Sequence, residues 1–376
     1  MKSETPFPTT GYTGPDNFCD RKRETLKIRQ FLQGGQSVTL VSIRRMGKTA
    51  LIRHIEFELG KTWLTIYLDI FKTSNFNELL NELATAILQA VEQNSSLGKK
   101  VWGFMKTIRP TIQFNELSGL SAVSFDVQPE IAKNNIRVIF EMLESQKVPV
   151  LISIDEFQQI TQYPEKHVDA WIRSVIQELK NVVFIFSGSQ HHVMTELFTH
   201  PNLPFFSSTS FMKLDKIPKE EYADFIKQKF EHAKWKVDME GIEELLDWTD
   251  LHTYYVQLIC NRMYHAGYKK NIPLAWKVEA LKAMEEMQHT FFNIRNLLTK
   301  GQWRLLAAIA KEEKVFFPTA GDFIKKYDLT SSAAVIRALE ALVEKEIIYY
   351  DYNQNGEKFY KLVDLLMMRW FQNFAY

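Results

Sequence analysis

Continuous apolar runs alternate with amphipathic segments over the first half of the chain. The apolar runs are rich in β-branched residues, as in strands buried on both faces of a parallel sheet, and lie at 37–43, 63–69, 148–154 and 182–186. The segments between them have apolar residues three and four positions apart, which predicts helices at 21–33, 50–59, 76–93, 131–146 and 168–179. Strands that alternate with helices predict an α/β fold, in which helices cover both faces of a parallel sheet.

The pattern changes in the middle and again towards the end of the chain. Residues 94–129 are more polar, and their alternating stretch at 122–127 is typical of a hairpin. After residue 213 the strand signal fades, and helical periodicity continues at 220–234, 241–248, 254–266 and 274–292. From Leu297, three short helical segments precede two strand-like runs around an Asn-Gly turn, 347–352 and 358–362. Helices followed by a hairpin predict a winged helix-turn-helix.

Composition narrows the class of protein. Hydrophobic residues make up 45% and charged residues 24% of the 376 positions, which is typical of globular proteins and excludes a disordered chain. The net charge of +1 excludes a surface that is cationic throughout. Cys19 and Cys260 are too few for a disulfide framework or a Cys-based zinc site, so we expect a reducing compartment, the cytoplasm. No apolar run is long enough for a signal peptide or a membrane span, so we expect no membrane association.

One strand-to-helix junction carries specific chemistry. The segment Arg44-Arg-Met-Gly-Lys-Thr49 matches the end of the phosphate-loop pattern G-x-x-x-x-G-K-[ST], with Ser42 in place of the first glycine. We expect backbone N–H groups to surround phosphates, Lys48 to contact the β- and γ-phosphates, and Thr49 to offer its hydroxyl to Mg²⁺. A chance triplet on the surface is the alternative, but the buried-type strand before it argues against this. The predicted nucleotide-binding residues of the loop are Arg44, Arg45, Met46, Gly47, Lys48, Thr49 and Ala50, and Lys48 is also predicted to be catalytic.

Polar residues also follow two later strands. A nucleotide hydrolase needs an acid for Mg²⁺ and a group that activates water, both at the carboxyl ends of strands near the loop. Asp155 is therefore predicted to hold Mg²⁺ and Glu156 to polarise the attacking water, with capping of the next helix as the alternative. Ser187 and Ser189 follow the strand at 182–186 and are candidates to sense the γ-phosphate or to orient the water, with a helix N-cap as the alternative. Ser189 is included among the predicted nucleotide-binding residues.

Together these residues resemble the AAA-type ATPases of the STAND group, specifically the archaeal-type ATPase family that is also widespread in bacteria. The resemblance spans about Gly14 to Phe371 and rests on Phe18-x-x-Arg21-x-x-Glu24, the Arg-Arg-x-Gly-Lys-Thr loop, Ile154-Asp-Glu-Phe-Gln158, Ser187-Gly-Ser189, Leu251-His-Thr-Tyr-Tyr-Val-Gln257 and the winged-helix tail. It implies bound ATP or ADP, Mg²⁺, slow hydrolysis and a switch role. It also implies that Phe18 and Arg21 lie near the nucleotide, where the alternative is a staple that holds the N-terminal arm to the sheet.

Pattern and resemblance together predict three domains. They are a P-loop ATPase core over 1–212, a helical lid over 213–295 and a winged-helix domain over 296–376. We expect ATP to close the lid on the core and to reposition the winged helix. A regulator that binds nucleotide without hydrolysing it is the alternative function.

The partner is less specified than the nucleotide. We expect a protein partner, and a nucleotide-dependent oligomer stays open. DNA binding through the winged helix is the alternative. The predicted recognition helix, 331–344, carries Arg337 together with Glu340 and Glu344, which is poor charge for a phosphate backbone.

Overall fold

The computed structural model describes residues 5–91, 96–107, 111–114, 121–124 and 127–374, and the chain divides into two compact units. One unit is Gly11–Asp215, and the other is Lys216–Tyr376 together with Met1–Thr10. The three domains expected from the sequence stay a prediction, because this division separates two units.

The elements follow one another in chain order. The strands are β1 (Val38–Val41), β2 (Leu64–Asp69), β3 (Thr111–Phe114), β4 (Ser121–Ser124), β5 (Val150–Asp155), β6 (Val182–Gly188), β7 (Ser210–Lys213), β8 (Ile348–Tyr352) and β9 (Lys358–Leu362). The α-helices of the first unit are α1 (Lys22–Gln33), α2 (Lys48–Leu59), α3 (Phe76–Ala90), α4 (Ser96–Thr107), α5 (Pro129–Glu144), α6 (Val168–Ile176) and α7 (His191–Thr199). Those of the second are α8 (Lys219–His232), α9 (Met239–Trp248), α10 (Thr253–Ala266), α11 (Ile272–Asn296), α12 (Lys300–Glu312), α13 (Gly321–Lys326), α14 (Ser332–Glu344) and α15 (Leu365–Phe374).

A five-stranded sheet is the frame of the first unit. Its spatial order is β2-β5-β6-β1-β7, and every neighbouring pair is parallel. Val41 lies opposite both Gly188 and Lys213, and Asp69 lies opposite Asp155. Because the carboxyl ends of parallel strands lie at the same edge, the residues that follow β1, β5 and β6 meet there. The predicted α/β fold with a parallel sheet is confirmed.

Helices cover both faces of this sheet, as β6 illustrates. Val183 and Ile185 belong to the apolar cluster that includes α1 and α2, whereas Phe184 and Phe186 belong to the cluster that includes α3, α5 and α7. Successive strand residues point to opposite faces, so both faces of β6 are packed. Every residue of β5 and β6 is buried, which explains why both strands read as continuous apolar runs.

Among the described strands and α-helices of this unit, the sequence pattern misses four, which are β3, β7, α4 and α7. In the edge strand β7 only Met212 is buried, so no apolar run marks it. Helix α7 has nine residues and begins with two histidines, and α4 lies within the segment that reads as polar. Of the stretch 122–127 that predicts a hairpin, Ala122, Val123 and Ser124 lie in β4, which pairs with β3 in antiparallel orientation, while Phe125 and Asp126 lie outside the described residues.

The second unit is helical until its C-terminal hairpin. Helices α12, α13 and α14 precede strands β8 and β9, which pair with Tyr350 opposite Tyr360. Gly356 in the connecting turn has a φ of 77°, which favours glycine and fits the Asn-Gly signal. This order confirms the predicted winged helix. None of the described helices combines the length and apolar character that crossing a bilayer requires.

Candidate nucleotide-binding site

The loop between β1 and α2 is built around Lys48. Lys48 is the first residue of α2 and is 6% exposed, and its Nζ lies 3.3 Å from the carbonyl oxygen of Ser42. Burial lowers the pKa of Lys48, and the nearby carboxylates of Glu156 and Asp155 offset part of this effect. Gly47 before it has a φ of 94°, a conformation that glycine adopts at little cost. The loop therefore presents a desolvated cation at a helix N-terminus, which is the arrangement that binds anions.

Ser42 replaces the first glycine of the phosphate-loop pattern without loss of the loop. Its side chain is buried, and its hydroxyl donates to the carbonyl oxygen of Ile43 at 2.9 Å. The same hydroxyl oxygen lies 3.5 Å from Nζ of Lys48. Hydrogen bonds within the loop thus accommodate the extra side chain.

Arg21 braces the loop from the residue that precedes α1. It is buried, and its guanidinium donates to the carbonyl oxygens of Asp215 at 2.6 Å and Met46 at 3.3 Å, and to the Glu24 carboxylate at 2.9 Å. These contacts hold the backbone of the loop at Met46. The predicted contact of Arg21 with nucleotide stays a prediction. Of the other loop residues, Arg44 and Arg45 are exposed, and Ala50 is half-buried.

Asp155 at the end of β5 accepts four hydrogen bonds. Its Oδ1 accepts from the Ser187 hydroxyl at 2.5 Å and from the Glu156 N–H at 3.1 Å. Its Oδ2 accepts from the hydroxyls of Thr49 at 2.6 Å and Tyr67 at 2.9 Å. The two predicted metal residues, Thr49 and Asp155, are therefore in direct contact. Ser187 is fully buried and positions Asp155, which makes Ser189 the more accessible of the two serine candidates.

Glu156 is held by donors from two neighbouring segments. Its Oε2 accepts from the Ser189 hydroxyl at 2.8 Å, the Ser189 N–H at 3.2 Å and Nε2 of Gln158 at 2.5 Å. Nε of Arg44 in the phosphate loop lies 3.5 Å from Oγ of the same Ser189. Glu156 itself has a φ of 55°, in the left-handed region that non-glycine residues adopt at a cost. The loop and the ends of β5 and β6 therefore share one polar network.

Strand β2 adds residues that no motif in the sequence marks. The Tyr67 hydroxyl donates to Asp155, and the guanidinium of Arg53 lies 3.7 Å from the centroid of the Tyr67 ring. Burial and the Asp155 carboxylate raise the pKa of Tyr67, so its hydroxyl is a donor at neutral pH. Desolvation also raises the pKa of Asp69, which lies opposite Asp155. Only the pairing of β2 with β5 would have identified these residues, because it places the ends of both strands at the same edge of the sheet.

Phe18 lies in a separate aromatic group. Its ring stacks on the imidazole of His54 with centroids 4.2 Å apart, and the Tyr12 ring lies edge-on to Phe18. The Tyr12 hydroxyl lies 2.9 Å from Nδ1 of His54, whose pKa is lowered by burial. The predicted contact of Phe18 with the nucleotide stays a prediction.

The collected groups have the chemistry of a site for a nucleoside triphosphate. A buried ammonium group and a helix N-terminus attract phosphates. A hydroxyl and a carboxylate are the hard oxygen donors that Mg²⁺ takes, with water and phosphate as its remaining ligands. The donor set of Thr49 and Asp155 therefore fits the metal that the sequence predicts.

The fold and this site define a P-loop ATPase. Residues 18–259 match the family model described as an ATPase domain predominantly from Archaea, and residues 289–373 match one described as a probable winged helix domain. The first match covers more than half of the chain. The chain therefore belongs to this ATPase family, as the resemblance predicts.

Solved structures share the fold over almost the whole chain. A Walker-type ATPase of Pyrococcus abyssi has a TM-score of 0.68 at 18% identity, over 98% of this chain and 100% of its own. The ORC2 protein of Aeropyrum pernix, in ADPNP-ADP complexes, has a TM-score of 0.60 at 13% identity, over 99% and 96%. The ORC1 protein of Aeropyrum pernix in complex with DNA has a TM-score of 0.52 at 11% identity, over 98% and 96%. No curated protein sequence matches this one at a significant level.

Proposed function

We propose that this chain binds ATP with Mg²⁺, hydrolyses it slowly, and uses the bound nucleotide as a switch. The observation that supports this most directly is the single polar network that joins Thr49, Asp155, Glu156 and Ser189 beside the buried Lys48. A helix-capping role for the two acids would not require contact with the phosphate loop. The ATPase family of the chain adds independent support.

Binding would use the backbone and the cation of the loop. The N–H groups of 44–50 surround the phosphates, and Lys48 pairs with the β- and γ-phosphate oxygens. Lys48 also stabilises the charge that develops on these oxygens during transfer, which is its catalytic role. Thr49 and Asp155 are the residues that would hold Mg²⁺, which when bound neutralises phosphate charge.

Hydrolysis would depend on Glu156. Its carboxylate accepts a hydrogen bond from the attacking water and orients the water towards the γ-phosphate. Ser189 holds the carboxylate and lies beside Arg44, so a change in the loop can reach the catalytic group through one side chain. Ser189 is therefore our candidate for the residue that senses the γ-phosphate.

The switch would act through the second unit. In our proposal ATP closes the helical segment 213–295 on the ATPase core and repositions the winged helix, as a ligand that favours one state shifts the population towards it. The Aeropyrum pernix ORC2 protein, solved both in ADPNP-ADP complexes and in an ADP form, supports nucleotide binding by this fold.

We propose a protein partner for the winged helix. Helix α14 exposes Ile336, 47% accessible, and Arg337, together with Glu340 and Glu344. The acidic residues repel a phosphate backbone, and the apolar side chain suits a protein surface. Fluorescence anisotropy with a labelled duplex, at about 50 and 200 mM salt, should show no binding that weakens with salt. Binding with a steep salt dependence would instead favour DNA as the partner of this winged helix, as in the solved complex of ORC1 of Aeropyrum pernix with DNA.

Calorimetry with Mg-ATP tests the proposed binding. Lys48→Ala removes a charge-assisted contact worth about 1.5–3 kcal/mol, so the affinity should fall about tenfold or more. Lys27→Ala changes an exposed lysine of α1 and is the matched control, with the affinity of the wild type expected. Wild-type protein that fails to bind Mg-ATP, or equal affinity in Lys48→Ala, would contradict the proposal.

A further inference from the structure

We propose that Gln158 is a positioning residue for Glu156, and that Gly188 is glycine because the side chains of Gln158 and Met194 occupy the space of a Cβ. The inference deepens the proposed function and rests on it, since it concerns how the water-activating carboxylate is held. Gln158 is the last residue of the motif Asp155-Glu-Phe-Gln158, and the proposed function uses only the two acids of this motif.

The amide of Gln158 contacts the carboxylate directly. Gln158 lies in the 3₁₀-helix Phe157–Gln162, is 4% exposed, and donates from Nε2 to Oε2 of Glu156 at 2.5 Å. The opposite amide orientation would place two oxygens against each other, so only the N–H end can face the carboxylate. Ser189 donates to the same oxygen through both its N–H and its hydroxyl. Three donors therefore fix Oε2.

The oxygen of the Gln158 amide lacks a comparable hydrogen bond among the described residues. Oε1 of Gln158 is buried and has no hydrogen-bond partner among the described residues. A buried acceptor without a partner destabilises a fold, and an apolar side chain of similar size avoids this penalty. Packing alone would therefore favour leucine or methionine at 158. The contact with Glu156 is the feature that accounts for an amide here.

Gly188 at the end of β6 makes room for this amide. A Cβ at 188 would lie 2.2 Å from Oε1 of Gln158 and 2.5 Å from Cγ of Met194, closer than atoms of these kinds approach. The φ of Gly188 lies outside the left-handed region, so an alanine would be free to adopt the backbone conformation. The requirement for glycine at this position is therefore space. Alanine would displace the Gln158 side chain and its donor.

Fixing Oε2 orients the whole carboxylate. A catalytic group held in one geometry does not lose time or energy in reorganising when the water attacks. With Oε2 engaged by three donors, Oε1 of Glu156 is the oxygen that meets the water. Loss of one donor should leave nucleotide binding unchanged and lower the rate of the chemical step.

Steady-state ATP hydrolysis by Gln158→Leu tests the proposal, with Gln159→Leu as the matched control. Gln159 is the next residue, in the same 3₁₀-helix, and its amide donates to the carbonyl oxygen of Thr73 and not to Glu156. For Gln158→Leu we expect kcat to fall about tenfold, which corresponds to the loss of one hydrogen bond to a charged group. KM should be no higher, and the thermal midpoint no lower, than in the wild type. Gly188→Ala should show the same split between kcat and KM. Gln159→Leu should keep the wild-type kcat.

The Glu156→Gln background separates positioning from general damage. Once the carboxylate is gone, Gln158→Leu should lower kcat no further, because coupled residues are not additive. An additional fall in that background, a kcat of Gln158→Leu equal to that of the wild type, or a parallel loss of thermal midpoint and Mg-ATP affinity would overturn the positioning role. The outcomes for the proposed function and for the positioning role can be told apart. A wild-type protein without ATP turnover would overturn the proposed function and the positioning role together. If Glu156→Gln abolishes turnover and Gln158→Leu leaves it unchanged, only the positioning role is overturned.

Discussion

The carboxylate of Asp155 shows how single residues set up this site. Each of its oxygens accepts two hydrogen bonds, and the donors come from the phosphate loop, from β2, from β6 and from the backbone of Glu156. A carboxylate with this many donors keeps one orientation without a bound metal. Thr49 and Asp155, the two residues that would hold Mg²⁺ in our proposal, are therefore adjacent in the folded chain.

Tyr67→Phe tests the contribution of one of these donors. The change removes the hydroxyl that lies 2.9 Å from Oδ2 of Asp155 and keeps the ring on which Arg53 stacks. We expect the free energy of unfolding to fall by about 1.5–3 kcal/mol, since a hydrogen bond to a charged group is lost. Thermal unfolding measures the effect. Tyr352→Phe, on the exposed end of β8, is the control, and equal midpoints for the two variants would contradict the account.

The sequence motifs predicted which residues would lie together, and their roles stay predictions. Lys48, Thr49, Asp155 and Glu156 follow from short patterns at the ends of apolar strands, and the structure brings all four together. Tyr67 could not be found in this way, because its partner is 88 positions further along the chain. Its role depends on the register between β2 and β5, which hydrophobic periodicity does not encode.

At the level of elements, an ion cluster joins the loop after α9 to the wing of the second unit. Asp250 accepts from Nζ of Lys216 at 2.5 Å and also from Nζ of Lys361 on β9. Lys361 is 5% exposed, so its charge depends on this partner. Burial alone would raise the pKa of Asp250, but the two ammonium groups outweigh it and lower the pKa.

Asp250→Asn should therefore destabilise the second unit in a pH-dependent way. At neutral pH we expect a loss of about 1–3 kcal/mol, because a buried lysine is left without its counter-charge. The lowered pKa means that the contribution is complete above the ordinary aspartate value of about 3.9 and is lost as the pH falls through the folded value. The stabilities of Asp250→Asn and the wild type should therefore become equal at acidic pH. Thermal unfolding of both proteins from neutral to acidic pH measures this.

Asp247→Asn is the matched control for this prediction. Asp247 lies three positions earlier, pairs with Lys219 at 2.8 Å and is 68% exposed. An exposed pair contributes little, so this variant should unfold within about 0.5 kcal/mol of the wild type. A gap between Asp250→Asn and the wild type that stays constant into the acid range would contradict the assignment.

Apolar runs in the sequence, and not burial alone, decided which strands were predictable. The edge strand β2 was predicted from its run at 63–69, although only Ile66 and Leu68 among its residues are buried. Strands β5 and β6 lie in the middle of the sheet and read as apolar runs, whereas β7 lies at the edge and has one buried residue. The order of the strands does not follow from the pattern either, because period-2 alternation assigns residues to faces and not strands to neighbours. The position of β1 between β6 and β7 is therefore known only from the structure.

At the scale of the whole molecule, one unit contains the candidate nucleotide site and the other contains the winged helix. Each part is present in the fold, and both match known families, at 18–259 and 289–373. The proposed switch requires that the ATP state persists long enough to be read and is then ended by hydrolysis. In our proposal both properties depend on Glu156, which should act on the chemical step and not on binding.

ATP turnover by Glu156→Gln, measured beside its affinity for Mg-ATP, tests this central claim most directly. The amide keeps the size of the side chain but cannot accept a proton from the attacking water. We predict that turnover falls by about 10²-fold or more, the range for loss of a general base, while the affinity for Mg-ATP changes by less than about threefold. Equal turnover by Glu156→Gln and the wild type would contradict the account and leave Glu156 as a structural acid after β5.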